Sequence, residues 1–191
     1  MTQFVLASGS PRRALLLRSS GYTFTVDSPD VDETALAGED PLAMVVRLAT
    51  DKAQHVAKRH GDRTVIAADT TVVLDGVSLG KPLDIDDARR MLRSLMGRSH
   101  IVATGVAVVS GDGLQAFVDS STVHMSTLSN DDLEGYLATG ESLDKAGAYA
   151  LQGEAKNFVD RIDGLKSTVI GLPLPRVVAI LDSIGIVRAT A

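Results

Sequence analysis

Residues 4–17 limit what this chain can fold into more than any other stretch. Phe4-Val5-Leu6-Ala7 is an unbroken apolar run, followed by Ser8-Gly9-Ser10-Pro11-Arg12-Arg13 and then by Ala14-Leu15-Leu16-Leu17. The apolar run suits a buried strand. The serine-proline pair suits a helix start, with Ser10 as N-cap and Pro11 at the first helical position. Gly9 lets another group approach the backbone closely. A helix start presents unpaired N–H groups and the positive end of a dipole, to which Ser8, Ser10, Arg12 and Arg13 add donors and charge. The turn is therefore a candidate anion site, although an ordinary capped helix with two solvated arginines has the same pattern.

A chain of 191 residues accommodates one sizeable α/β domain or two small lobes, and residues 1–191 are read as a single domain. A formal charge of −5 argues against coating a nucleic acid polymer but permits a local basic pocket for a small polyanion. The absence of cysteine excludes disulfides, thiolate nucleophiles and cysteine-ligated zinc. His55, His60, His100 and His124 show no ligand spacing beyond a loose pair at 55 and 60. No basic segment precedes an apolar core of signal length, and no run approaches the roughly eighteen apolar residues of a membrane span. A cytoplasmic protein with no membrane association is expected.

Along the chain, Tyr22–Val26 reads as a short strand and is followed by an acidic loop containing Asp27, Asp30, Asp32 and Glu33. These carboxylates are either simply solvated or ligands for a cation. Asp40-Pro41 begins a helix reaching about Arg59, whose buried face carries Leu42, Val45, Val46, Ala49, Ala53 and Val56. Lys52 lies at the border of that face, where it either covers apolar surface with its stem or reaches into a cleft to meet a phosphate. Thr64–Ala68 reads as a central strand with Asp69 and Thr70 directly at its end, the place where open α/β sheets put ligand-binding groups. A hairpin over residues 71–79 leads to Gly80-Lys81-Pro82, which is either a plain turn or a second phosphate contact.

Asp84 or Asp86 caps the next helix, residues 100–109 and 114–125 form an antiparallel pair, and Ser129 starts another helix. Residues 144–153 form a small-residue loop in which Gln152 has the donor and acceptor needed to read a pyrimidine edge. Residues 157–162 and 165–170 are expected to pair as a second hairpin before the final helix. The pattern is that of a mixed sheet in an α/β fold.

Walker-type, G-x-G-x-x-G and G-x-S-x-G motifs are absent, and no second aspartate follows Asp69 at the spacing of aspartyl phosphatases. What remains is cations, hydroxyls and carboxylates. Arg12, Arg13, Lys52 and Lys81 can neutralise a polyphosphate, while Glu33 and Asp69 can hold a divalent ion or activate water.

Ser8-Gly9-Ser10-Pro11-Arg12-Arg13, Val31-Asp32-Glu33, Ala68-Asp69-Thr70, Gly80-Lys81-Pro82 and Asp144–Gly153 together resemble the Maf family of nucleotide pyrophosphatases, in family order and across the chain. The resemblance implies a fold related to inosine triphosphate pyrophosphatases, with an elongated, twisted mixed sheet flanked by helices, and two lobes with a central cleft. It implies a reaction dependent on a divalent metal, Mg²⁺ or Mn²⁺, converting a nucleoside triphosphate and water to the monophosphate and pyrophosphate. By family position Asp69 is the catalytic proton acceptor, and Glu33, Lys52 and Lys81 belong to the polar cleft, with Glu33 and Asp69 as metal ligands. Ser8, Ser10, Arg12, Arg13, Lys52 and Lys81 would bind substrate.

Arg12, Thr70 and Gln152 match the positions separating subgroups, and here resemble the dTTP/UTP branch rather than the 7-methyl-GTP branch. Thr71 departs from the aliphatic residue expected after Asp-Thr, which bears on strand packing. The family is also linked to inhibition of septum formation, and its members commonly form homodimers. A non-catalytic nucleotide sensor regulating division through a protein partner is the rival class.

Overall fold

The computed structural model describes residues 3–188. Its elements are β1 (Phe4–Ala7), α1 (Pro11–Ser19), β2 (Phe24–Val26), α2 (Pro41–Ala57), β3 (Val65–Leu74), β4 (Val77–Leu79), α3 (Ile85–Leu95), β5 (Ser99–Ser110), β6 (Gly113–Met125), α4 (Asn130–Ala138), β7 (Val159–Asp163), α5 (Lys166–Ile170) and α6 (Leu174–Ser183). The sheet order is β2-β1-β3-β5-β6-β7, with β4 paired to β3. β1 runs parallel to both β2 and β3, while β3–β4 and β6–β7 are antiparallel. The expected mixed α/β sheet is thus observed.

The chain forms two compact units. Among the described residues the first contains 3–69, 104–119 and 171–188, and the second 70–103 and 120–170. In the first unit the period-two alternation of strands sorts the core. Phe4, Leu6, Ile66 and Ala68 face α1 and α6 through Ala14, Leu17, Val177 and Leu181. Val5, Ala7, Val65 and Ala67 face α2 through Ala49, Ala53 and Val56. The residue after Ala67 on that second face is Asp69, so strand geometry alone aims its side chain toward the α2 side. In the second unit α3 and α4 bury Met91, Leu92, Leu95, Leu133 and Leu137 against Val72, Leu74, Val102, Val123 and Met125. Each such aliphatic side chain contributes roughly 1.5–3 kcal/mol on burial.

Local expectations hold at several helix starts. The Asp40 carboxylate accepts from the Leu42 and Ala43 N–H groups at 3.0 Å each, Asp84 caps α3, and Ser129 caps α4. Ser10 occupies the N-cap position of α1 with extended backbone, but its side chain makes no capping bond. The nearby Ser8 hydroxyl accepts from the Ser10 N–H instead, at 3.2 Å.

The expected second hairpin is half wrong. β7 pairs with β6, but residues 166–170 form helix α5 rather than a strand. At Gly164 the backbone has φ +125°, and a Cβ there would lie 2.5 Å from the Ser121 hydroxyl. The Leu165 carbonyl then accepts from the Thr168 N–H at 3.0 Å and the Ser121 hydroxyl at 3.1 Å. These contacts turn the chain inward and override the strand preference of Thr168, Val169 and Ile170.

Thr71 is buried, and its hydroxyl lies 2.6 Å from that of Ser78 on β4. The polar replacement is therefore satisfied across the hairpin.

α2 lies against β5 at Gly105, where a Cβ would be 2.2 Å from the Val45 carbonyl oxygen and 2.6 Å from the Val46 nitrogen. Backbone cannot yield as a side-chain tip can. Gly105→Ala is expected to destabilise the protein by about 3 kcal/mol, read as a fall in the urea midpoint. An unchanged midpoint would contradict this packing.

Candidate active site

The site grows from the position of Lys52 on α2. The apolar set expected on the buried face, Leu42, Val45, Val46, Ala49, Ala53 and Val56, centres near Leu42 and Ala49 and leaves Lys52 at its border. The folded helix is turned so that Met44, Leu48, Lys52 and Val56 form one buried row, while Leu42 and Val46 are half-buried. Lys52 is only 6% exposed. Its ammonium donates to Asp69 Oδ1 at 2.5 Å and pairs with Glu33 Oε1 at 2.7 Å. The apolar run predicts a strand ending at Ala68, but β3 continues unbroken to Leu74, so Asp69 lies within the strand; a helix, the middle of a strand and a loop thus converge on one cation.

The loop carrying Glu33 is shaped by its other acids. Asp32 accepts from the Thr34 N–H at 2.9 Å, closing a local turn. Glu39 accepts from the Leu36 N–H and takes a two-pronged contact from Arg47 at 2.6 and 2.7 Å, which with the Leu36 bond holds its carboxyl near a pKa of about 2. Arg47 also donates to the Thr34 carbonyl at 3.2 Å. Asp27 serves elsewhere, bonding Arg59 at 2.8 Å and His60 at 2.7 Å. From the acidic run, Glu33 is the carboxylate that meets Lys52.

Arg13 is fixed by chemistry that its sequence neighbours do not reveal. Its Nε donates to the Gly171 carbonyl at 2.8 Å and its Nη1 to the Ser8 hydroxyl at 3.1 Å. Burial lowers the pKa of its guanidinium, opposed by the charge of Asp69 and reinforced by that of Arg12. An arginine remains charged under such a shift. Ser8, Arg13, Glu33, Lys52 and Asp69 therefore belong to one electrostatic cluster in the first unit. Ser10 and Arg12 sit at the start of α1 beside it.

Glu33 and Asp69 bring carboxylate oxygens, the donors a divalent ion takes, close together on either side of the Lys52 ammonium. Among the described residues no three metal-ligating side chains cluster. Such a donor set matches Mg²⁺-type binding, in which one or two carboxylates are completed by substrate phosphates and water.

Lys81, Thr70 and Gln152 lie in the second unit. Lys81 and Gln152 are exposed, and Thr70 is half-buried. The Gly80 carbonyl accepts from the Gly147 N–H at 3.0 Å, tying the Lys81 turn to the 144–153 loop. That loop is also tied to β5, because the Tyr149 hydroxyl lies 2.6 Å from His100 Nε2 with both residues buried. Sequence reasoning saw only a lack of ligand spacing at His100. Its position amid a buried β5 run was the available signal.

A protein-family model described as Maf-like protein matches residues 3–184. The chain belongs to the Maf-like family. Among its Maf-like relatives, a protein from Symbiobacterium thermophilum is 46% identical, covering 97% of this chain and 95% of its own length. A protein from Shewanella denitrificans is 48% identical, covering 93% and 94% respectively. A third, from Hahella chejuensis, is 44% identical over 96% and 93%. All three bear the name dTTP/UTP pyrophosphatase. No helix among the described residues is long and apolar enough to cross a membrane.

The buried His100 has a consequence for pH. Burial, with a smaller push from His124, lowers its pKa from 6.5 to about 4. Between those values the unfolded chain binds a proton that the folded chain refuses, so stability falls as pH drops through this window. The expected loss is about 3 kcal/mol at full effect. Urea unfolding from pH 7.5 to 4.5 should show this component in the wild type and not in His100→Gln. Parallel pH dependences in the two proteins would contradict it.

Proposed function

We propose that this Maf-like chain is a metal-dependent nucleoside triphosphate pyrophosphatase acting on dTTP and UTP, with residues 1–191 working as one domain. The observation carrying the reading is the convergence of Asp69 and Glu33 on the buried Lys52 ammonium, with the Arg13 guanidinium acting electrostatically on the same two carboxylates. The names of relatives 44–48% identical over nearly the whole chain support the substrate class.

Lys52, Arg13, Arg12 and Lys81 neutralise the polyphosphate, and the Ser8 and Ser10 hydroxyls with the start of α1 add donors. Glu33 and Asp69 would hold the divalent ion, Mg²⁺ or Mn²⁺, which would supply Lewis-acid polarisation of the phosphoryl oxygens. Asp69, a mid-strand carboxylate that is mostly buried and fixed by Lys52, orients the attacking water and accepts its proton. Water adds at the α-phosphorus, the bond to the α–β bridging oxygen breaks, and pyrophosphate leaves with the electron pair. Gln152 reads the pyrimidine edge through its paired donor and acceptor, with Arg12 and Thr70 as the other selective positions. The enzyme is further read as a cytoplasmic homodimer, in keeping with the family resemblance of its motifs.

With Mg²⁺ or Mn²⁺ the purified protein should release pyrophosphate from dTTP and UTP. Asp69→Asn should lower that rate by roughly 10²- to 10⁴-fold with the circular dichroism spectrum unchanged. Release of inorganic phosphate alone, binding without turnover, a preference for 7-methyl-GTP, or an undiminished mutant would each contradict the proposal.

A further inference from the structure

The 144–154 loop is held in a conformation that its own residues do not favour. Gly147 and Ala148 both adopt positive φ, +67° and +63°. An alanine in that region is strained and persists only where its surroundings over-determine it. A side chain at Gly147 would meet Val72 Cγ2 at 2.7 Å, so the backbone there is pressed onto β3. Several tethers hold the loop, among them the Lys145 ammonium donating to the Glu141 carbonyl. The Gly147 N–H donates to the Gly80 carbonyl, and the Tyr136 hydroxyl donates to the Ala148 carbonyl at 3.3 Å. The Glu154 N–H donates to the Glu141 carboxylate at 3.1 Å. Another is the contact of the Tyr149 hydroxyl with His100 Nε2.

That last tether has the strongest call on geometry. His100 is 3% and Tyr149 5% exposed, and their rings meet edge to face with centroids 5.4 Å apart and planes at 82°. His100 Nδ1 has no hydrogen-bond partner among the described residues. A buried polar ring that already forgoes one bond is retained at a cost, and the group it does bond is the Tyr149 hydroxyl, three residues before Gln152.

We propose that His100 is a positioning residue for base selection: through the Tyr149 hydroxyl it fixes the 144–154 loop, and with it the place from which Gln152 reads the base. The inference rests on the pyrimidine-nucleotide reading above. It assigns neither ring a contact with substrate. Tyr149 has no polar atom besides its hydroxyl on the side chain, so removing that oxygen separates the tether from the packing of the ring.

The test compares kcat and KM for dTTP and dGTP in wild type, Tyr149→Phe, His100→Phe and His100→Gln, assayed well below each thermal midpoint. Tyr149→Phe and His100→Phe should raise KM for dTTP at least tenfold with kcat within about twofold, and lower the dTTP-to-dGTP ratio of kcat/KM at least tenfold. His100→Gln, whose amide can meet the Tyr149 hydroxyl, should restore most of the ratio. If Tyr149→Phe does not fold, the contrast between His100→Gln and His100→Phe decides. Wild-type discrimination in Tyr149→Phe, or His100→Gln no better than His100→Phe, overturns the proposal alone. A wild type that hydrolyses neither dTTP nor UTP overturns the nucleotide reading and the proposal with it.

Discussion

The arrangement in the first unit depends on one ammonium. A lysine with 6% exposure loses most of its hydration, a penalty of several kcal/mol that only close, well-directed counter-charges offset. Asp69 and Glu33 provide them at 2.5 and 2.7 Å. The dependence is mutual, because two carboxylates brought to one point repel each other without a cation between them. Lys52 thereby joins α2, the middle of the central strand β3, and the loop before α2. A nucleotide's phosphates and a divalent ion would enter an environment whose charges are already in place, so little reorganisation accompanies catalysis.

The positions of those charges follow from ordinary packing. Alternation along β3 puts Asp69 on the face of Val65 and Ala67, and Ala49, Ala53 and Val56 bring α2 onto that same face. Gly105 allows the α2 backbone to approach β5 more closely than any side chain would permit. Arg13 is held in turn from the opposite end of the chain, by the carbonyl of Gly171. The second unit uses a different device. There a strained loop is fastened from several elements, including the Tyr149–His100 contact, so that the segment ahead of Gln152 has one conformation.

Much of this was legible in the sequence because it rests on local rules. The strand-turn-helix at residues 4–17, the Asp40-Pro41 helix start and the apolar run ending at Asp69 each carry a short-range physical signature. What escaped depends on distant partners. Lys52 reads as a border residue when the buried face is drawn from Leu42, Val45, Val46, Ala49, Ala53 and Val56, whereas the fold also buries Met44 and Leu48 on the same side as Lys52. Nothing near Asp27 marks it as the partner of Arg59 and His60, a pairing that only the fold brings about. Residues 165–170 carry β-favouring side chains, yet Gly164 and the Ser121 hydroxyl turn them into a helix. The role of His100 depends on a tyrosine forty-nine residues away.

In the proposed reaction water attacks the α-phosphorus. Hydrolysis of dTTP in oxygen-18 water, followed by mass spectrometry of both products, tests that claim most directly. One labelled oxygen in dTMP and none in pyrophosphate is the expected result. Label in pyrophosphate, or products consisting of dTDP and labelled inorganic phosphate, would contradict it.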